Sequence, residues 1–397
     1  MKYAKQIKQL GTETAFAVSA QAKDWASKGN KVYPFHLGDL NMKTPPNIVE
    51  ATMRAIQDGK TGYCPSEGIL PLREALANDV GYRRGVDYNP ENVAIQPGGK
   101  PTIGKFISAI MNPGDEVLYP NPGYPIYESQ IEYQGGQAIP YSYIRTDSGF
   151  DIDLERLKDS ISSNTVALIY NNYQNPISAE SSRSEMEQIA EIAISNDLWV
   201  LADDAYYEIR YGGNSQSIVD IPGMKERTVV LYTFSKKYAM TGWRVGGSIG
   251  PEKLIKIIAK LNVNAESCTT HFIQEAMVEA LIGDPSGPEE ILSRLKKRRD
   301  VAVSGLNSIE GIDIPTPQST FYLFPKVNDI MKKKGLKSVE DLQLGALHNA
   351  NVSFCTREHF GRPQEDEVDY FIRFAYSGIS AEDIDEGLKK LKTYFED

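Results

Sequence analysis

The stretch 232–247 reads YTFSKKYAMTGWRVGG, with Lys236 and Lys237 side by side and Arg244 eight residues after the first. A lysine stripped of water is a nucleophile, and a nearby arginine supplies the fixed positive charge that a phosphate or carboxylate needs. Three other stretches carry compatible chemistry. LADDAYYE holds Asp203, Asp204 and Tyr206; NNYQNP holds the amide of Asn175; and AIQPGGK ends in the turn Pro97-Gly98-Gly99-Lys100. Glycines at such a turn let backbone N–H groups approach an anion, and a following helix N-terminus favours negative charge. An ionised aspartate at the mouth of a buried strand costs several kcal/mol unless a cation pairs with it. The alternative for Asp203 or Asp204 is a cap on the next helical turn.

These residues sit at the ends of short β-branched runs. NVAIQ (92–96), DEVLYP (115–120), QAIPYS (137–142), TVALIYNN (165–172), LWVLADD (198–204), TVVLYTFS (228–235) and WRVGGSIG (243–250) read as strands. Amphipathic helical patterns lie between several of them, clearest at 180–195. Strands alternating with helices predict a mostly parallel, helix-covered sheet, whose binding crevice lies off the carboxyl ends of the strands. That rule brings the glycine turn, Asn175, Asp203, Tyr206, Lys236 and Arg244 to one crevice. A ligand with a phosphate, a phenolic oxygen and a protonatable ring nitrogen matches the whole set, and pyridoxal 5'-phosphate is such a molecule.

The order of motifs is also specific. SKKYAMTGWR resembles the lysine signature of the class I and II aminotransferases, the aspartate aminotransferase superfamily. GYCPSEGILPLREAL (62–76), AIQPGGK (94–100), MNPGDEVLYPNPGYPIY (111–127), NNYQNP (171–176), LADDAYYE (201–208) and YFIRFAYS (370–377) follow the family's order over nearly the whole chain. The resemblance implies an α/β fold of the PLP-dependent transferase, aspartate aminotransferase-like, type. It implies a large cofactor-binding domain over 46–290 and a smaller α+β domain built from 1–45 and 291–397.

The same resemblance assigns roles. Lys236 is the Schiff-base lysine and general base, and Lys237 is structural or solvent-facing. Asp203 pairs with the pyridinium nitrogen, while Tyr206 and Asn175 bond the phenolic oxygen. Tyr124 stacks on the ring. Arg244, Thr233, Ser235 and the backbone at Gly99 and Lys100 hold the phosphate, the Lys100 side chain being left open. Arg373 grips the substrate α-carboxylate with Gly38 beside it, and Tyr63 reaches the phosphate of the neighbouring subunit in a homodimer with shared active sites. The implied reaction moves an amino group between an L-amino acid and a 2-oxo acid by a ping-pong route.

Departures from the family pattern fall in loops that line or support the substrate pocket: Asp39-Leu40-Asn41, Ile177-Ser178, Ser319 and Thr356-Arg357. They leave the donor and acceptor open. Arg357 is expected to point to solvent or pair with an acid, with contact to a substrate carboxylate as the alternative; His36, just before Gly38, poses the same choice. Other pyridoxal enzymes on this scaffold, a C–S β-lyase or an α-carbon synthase, share Lys236, Asp203 and Arg244. A ligand-sensing transcriptional regulator is disfavoured, because the matching region begins near residue 12.

Composition narrows the rest. The 397 residues are 41% hydrophobic and 24% charged, a globular profile long enough for about two domains. A formal net charge of −10 argues against nucleic acid or an anionic membrane as partner. The basic runs Lys296-Lys297-Arg298-Arg299 and Lys332-Lys333-Lys334 are expected to be solvated helix faces. Cys64, Cys268 and Cys355 are too scattered for a disulfide framework, and His36, His271, His348 and His359 show no metal-ligand spacing. A reducing cytoplasm is expected, with no metal; AFAVSA is too short for a signal-peptide core.

Overall fold

The computed structural model describes residues 2–11 and 13–397. Its centre is a seven-stranded sheet of β1 (Val93–Gln96), β2 (Glu116–Pro120), β3 (Gln137–Tyr141), β4 (Thr165–Tyr170), β5 (Trp199–Asp203), β6 (Thr228–Thr233) and β7 (Gly246–Ile249). The order across the sheet is β1-β7-β6-β5-β4-β2-β3. All neighbours are parallel except β7, which runs antiparallel to both β1 and β6.

Strand side chains alternate between two apolar cores, as the period of two requires. Leu168, Val200, Val230 and Tyr232 join one core, with Leu76 and Val80 of helix Leu70–Arg84 and Met186 and Ile189 of helix Arg183–Ser195. Ile169, Leu201, Val229 and Leu231 join the other, with Phe106 and Ile107 of helix Lys100–Ile110 and Leu254 and Ile258 of helix Glu252–Ala265. A sheet covered on both faces must read as continuous apolar runs, which is what these strands show.

A third core gathers the C-terminal part around helices Ser286–Asn307 and Ala381–Glu396 and the strands Tyr322–Leu323 and Ile372–Ala375. Tyr33 and Phe35 belong to it, because Tyr33–Pro34 pairs in parallel with Val352–Ser353. Among the described residues no helix is long and apolar enough to cross a membrane.

Several boundaries differ from the sequence reading. The expected strand 243–250 begins only at Gly246, since Arg244 has φ +59°, a left-handed conformation that no strand contains. FYLFPKV contributes only two strand residues, Tyr322–Leu323. Only half of the run 296–299 is a solvated face: Lys296 and Lys297 are exposed, whereas Arg298 and Arg299 are buried. Four consecutive residues sweep most of a helix circumference, so some must face the core. Arg298 donates to Asn41 Oδ1 (2.8 Å) and to the Ser377 carbonyl, and Arg299 lies over the Tyr211 ring and donates to the Pro317 carbonyl (3.0 Å).

Candidate active site

The carboxyl ends of β4, β5 and β6 open into a cavity of about 500 Å³ lined by Asn171, Asp203 and Thr233 among others. Antiparallel β7 brings its amino end to the same edge, where Gly246 is in register with both Thr233 and Gln96. Arg244, two residues earlier, therefore enters the cavity although it precedes its strand. Its guanidinium packs against Gly98, where an added Cβ would fall 2.1 Å from Nη2. Gly98 also has φ +102°, so both its shape and its backbone exclude a side chain. Gly99 follows as the N-cap of helix Lys100–Ile110, and Thr233 Oγ1 donates to Ser235 Oγ (2.9 Å).

Lys236 and Lys237 lie in the turn after β6, not on the strand, yet they diverge as expected. Lys236 lines the cavity and donates to the Gly38 carbonyl (2.9 Å). Burial pulls its amine down to about 8, with the Arg373 and Arg244 charges pushing the same way and Asp39 opposing. Lys237 turns the other way, to an ion pair with Glu208 (2.7 Å). It is structural, and not solvent-facing.

The two aspartates also part. Asp204 pairs with Arg84 (2.8 Å), both side chains almost fully buried, and the guanidinium lies 3.7 Å from the Tyr207 ring centroid. Asp203 accepts from Tyr127 Oη at Oδ2 (2.5 Å) and from the Ala205 N–H at Oδ1 (3.2 Å). Burial pushes its carboxyl up to about 6 against those two hydrogen bonds. Among the described residues Asp203 has no cation within ion-pair distance, although it is 5% exposed.

Opposite these groups, Arg373 Nη1 donates to Asn175 Oδ1 (3.0 Å) and Nη2 to the His36 carbonyl (2.6 Å). Its guanidinium lies between the Tyr322 and Phe360 rings, 4.6 Å from each centroid, and its Nε has no partner. Tyr206 Oη meets Tyr322 Oη at 2.6 Å. Gly38 is required here, because a Cβ on it would fall 2.1 Å from Tyr322 Oη. Tyr124 Oη donates to Glu13 Oε1 (2.7 Å), and Lys100 pairs with the same carboxylate, so the Lys100 side chain is engaged at the cavity.

Twelve of the thirteen residues given a site role from the sequence line this one cavity. The exception is Tyr63, which stands outside it and is 89% exposed. Arg357 is buried against Glu367 (2.7 Å) and Asn121 Oδ1 (2.6 Å), away from the cavity. His36 does not line the cavity: its carbonyl accepts from Arg373, Nδ1 meets Ser353 Oγ (2.7 Å), and burial lowers the imidazole to about 4. Sequence reading missed Glu13, Arg84, Tyr127 and Tyr322. Tyr127 was detectable as the second tyrosine of PNPGYPIY, three residues after Tyr124 at the start of helix Ile126–Tyr133; Glu13, in an irregular segment before helix Ala15–Ser27, gave no signal.

Comparison with known proteins agrees with this geometry. Residues 31–391 match the family model described as aminotransferase class I and II. A probable aspartate/prephenate aminotransferase of Aquifex aeolicus is 33% identical, over 99% of this chain and 98% of its own. Among solved structures, aspartate aminotransferase from Thermus thermophilus with maleate superposes with a TM-score of 0.90 at 26% identity, covering 99% and 100% of the two chains. Alanine aminotransferase from Pyrococcus furiosus gives the same score and identity over 100% of both. The expected fold class is thus met, and on a match spanning nearly its whole length the chain belongs to the class I and II aminotransferase family.

Proposed function

We propose that this aminotransferase uses pyridoxal 5'-phosphate, held on Lys236, to move an amino group between an L-amino acid and a 2-oxo acid. One observation carries the reading: a buried carboxylate, Asp203, lining the cavity with no cation within ion-pair distance among the described residues. A buried unpaired carboxylate is costly, and a protonated ring nitrogen relieves that cost. The remaining residues fit the same molecule. Gly98, Gly99, Thr233, Ser235 and Arg244 would hold a phosphate, and Tyr206 and Asn175, lining the same cavity, would serve its phenolic oxygen. Tyr124 offers a ring face, and Tyr63 is free to reach a second copy of the chain in a homodimer.

When bound, the cofactor supplies an aldehyde for an amine and a ring that takes up electrons from the substrate α-carbon. The chain supplies the rest. Arg373, pre-set by Asn175 Oδ1 and the His36 carbonyl and sandwiched between two rings, keeps its Nε free and binds the substrate carboxylate as a planar fork. Asp203 holds the ring nitrogen's proton through its carboxylate, which Tyr127 Oη and the Ala205 N–H keep oriented. Lys236 Nζ, lowered to about 8, is close to neutral pH and so both takes a proton from the α-carbon and returns it. The pairing of Tyr206 with Tyr322 fixes the phenol at the edge of the same site.

Two half-reactions sharing one binding place require a ping-pong order. Initial rates measured against donor at several fixed acceptor concentrations are expected to give parallel reciprocal plots. Intersecting lines would overturn the order. Ammonia and pyruvate released from a cysteine conjugate without any 2-oxo acid would favour a C–S lyase instead.

A further inference from the structure

The cavity is lined by four side-chain cations, Lys100, Lys236, Arg244 and Arg373. In the reading above the last three serve the cofactor and the α-carboxylate, which leaves Lys100 as the one that a substrate side chain could meet. Glu13 occupies it. Its Oε1 pairs with Lys100 Nζ and accepts from Tyr124 Oη (2.7 Å), so the acid is held from two sides.

Described residues on either side of Glu13 have contacts of their own. The Gly11 N–H donates to Ser129 Oγ (2.9 Å), and the helix that follows packs Val18 against Ile177 and Phe360. Glu13 itself lines the cavity wall. Phe16, Leu37 and Phe360 give the same cavity an apolar share of its lining.

We infer that Glu13 sets the side-chain selectivity of the enzyme, cancelling Lys100 so that amino donors with uncharged side chains are taken in preference to acidic ones. This rests on the aminotransferase reading. A donor carboxylate entering beside Glu13 meets a like charge, and the cation that would bind it is already paired. Selection by a built-in repulsion of this kind acts against the wrong substrate without adding contacts to the right one.

The test uses the cofactor-loaded protein and follows conversion of the bound cofactor to its amine form by absorbance, with L-alanine or L-aspartate as donor and no acceptor. The unaltered enzyme is expected to favour alanine. Glu13→Gln is expected to raise the specificity constant for aspartate about tenfold, equivalent to ~1.4 kcal/mol, while that for alanine stays within about twofold. In a Lys100→Met background only the like-charge repulsion is left to relieve, so the same substitution is expected to bring a clearly smaller gain, which a merely loosened segment would not reproduce. An unaltered enzyme that favours aspartate overturns the inference. So does an equal rise for both donors, or a gain undiminished by loss of the Lys100 amine. If a range of donors all fail to convert the cofactor of the unaltered protein, the aminotransferase reading falls as well, and the two failures are told apart.

Discussion

Removing the Arg84 guanidinium isolates the element that divides the labour between Asp203 and Asp204. The side chains of Arg84 and Asp204 are 0% and 3% exposed, and Nε and Oδ2 are 2.8 Å apart. At an effective dielectric of about 20 their gross attraction is about 6 kcal/mol, against which both desolvation costs stand. Arg84→Leu removes the attraction and leaves the cost of Asp204, whose carboxyl burial already raises while Arg84 holds it down. The expected loss is about 3–5 kcal/mol of unfolding free energy. Arg84→Leu combined with Asp204→Leu removes both charges and is expected to return to within about 2 kcal/mol of the starting protein, since an apolar pair of similar volume replaces a buried ion pair at little cost. Urea unfolding followed by circular dichroism at neutral pH measures all three. A single variant less than about 1 kcal/mol below the parent, or a double variant no better than the single, would refute the pairing as described.

Three further outcomes follow from the same geometry. Burial disfavours the charged form of Lys236, so the neutral amine should prevail above about 8: capture of pyridoxal phosphate by cofactor-free protein should rise with pH, reach half its plateau near 8, and not climb on toward 10.5. His36, lowered to about 4 chiefly by burial and then by Arg373, should show imidazole NMR shifts that stay constant from pH 8 down to pH 5. Gly98→Ala places a methyl group where Arg244 Nη2 stands and strains a backbone with φ +102°, so cofactor affinity in equilibrium dialysis should weaken roughly tenfold, about 1.4 kcal/mol.

Much of the site was legible in the sequence because its residues sit at strand ends, where local patterns mark position. Asp203 closes β5 and Lys236 follows β6 by three residues, so finding the strands was enough to find the crevice. What the pattern could not convey was partnership. Asp203 and Asp204 look alike in LADD, and only Arg84, more than a hundred residues away in sequence, separates them. Arg244 was placed on a strand because β-branched and glycine residues surround it, whereas its backbone is left-handed and its guanidinium packs against Gly98, a residue far away in sequence. Arg298 and Arg299 read as surface charge because composition does not disclose which side of a helix meets the core. Glu13 illustrates the limit most clearly. Nothing in an irregular stretch announces that its acid will meet Tyr124 and Lys100, because those contacts exist only once the whole wall has assembled.

The central claim is that one amine, and not its neighbour, carries the cofactor. Borohydride treatment of the cofactor-loaded protein, followed by digestion and peptide mass spectrometry, reads this out directly. The mass of a reduced pyridoxyl phosphate adduct is expected on Lys236, with Lys237 unmodified. An adduct on Lys237, or no adduct on either lysine, would contradict the account.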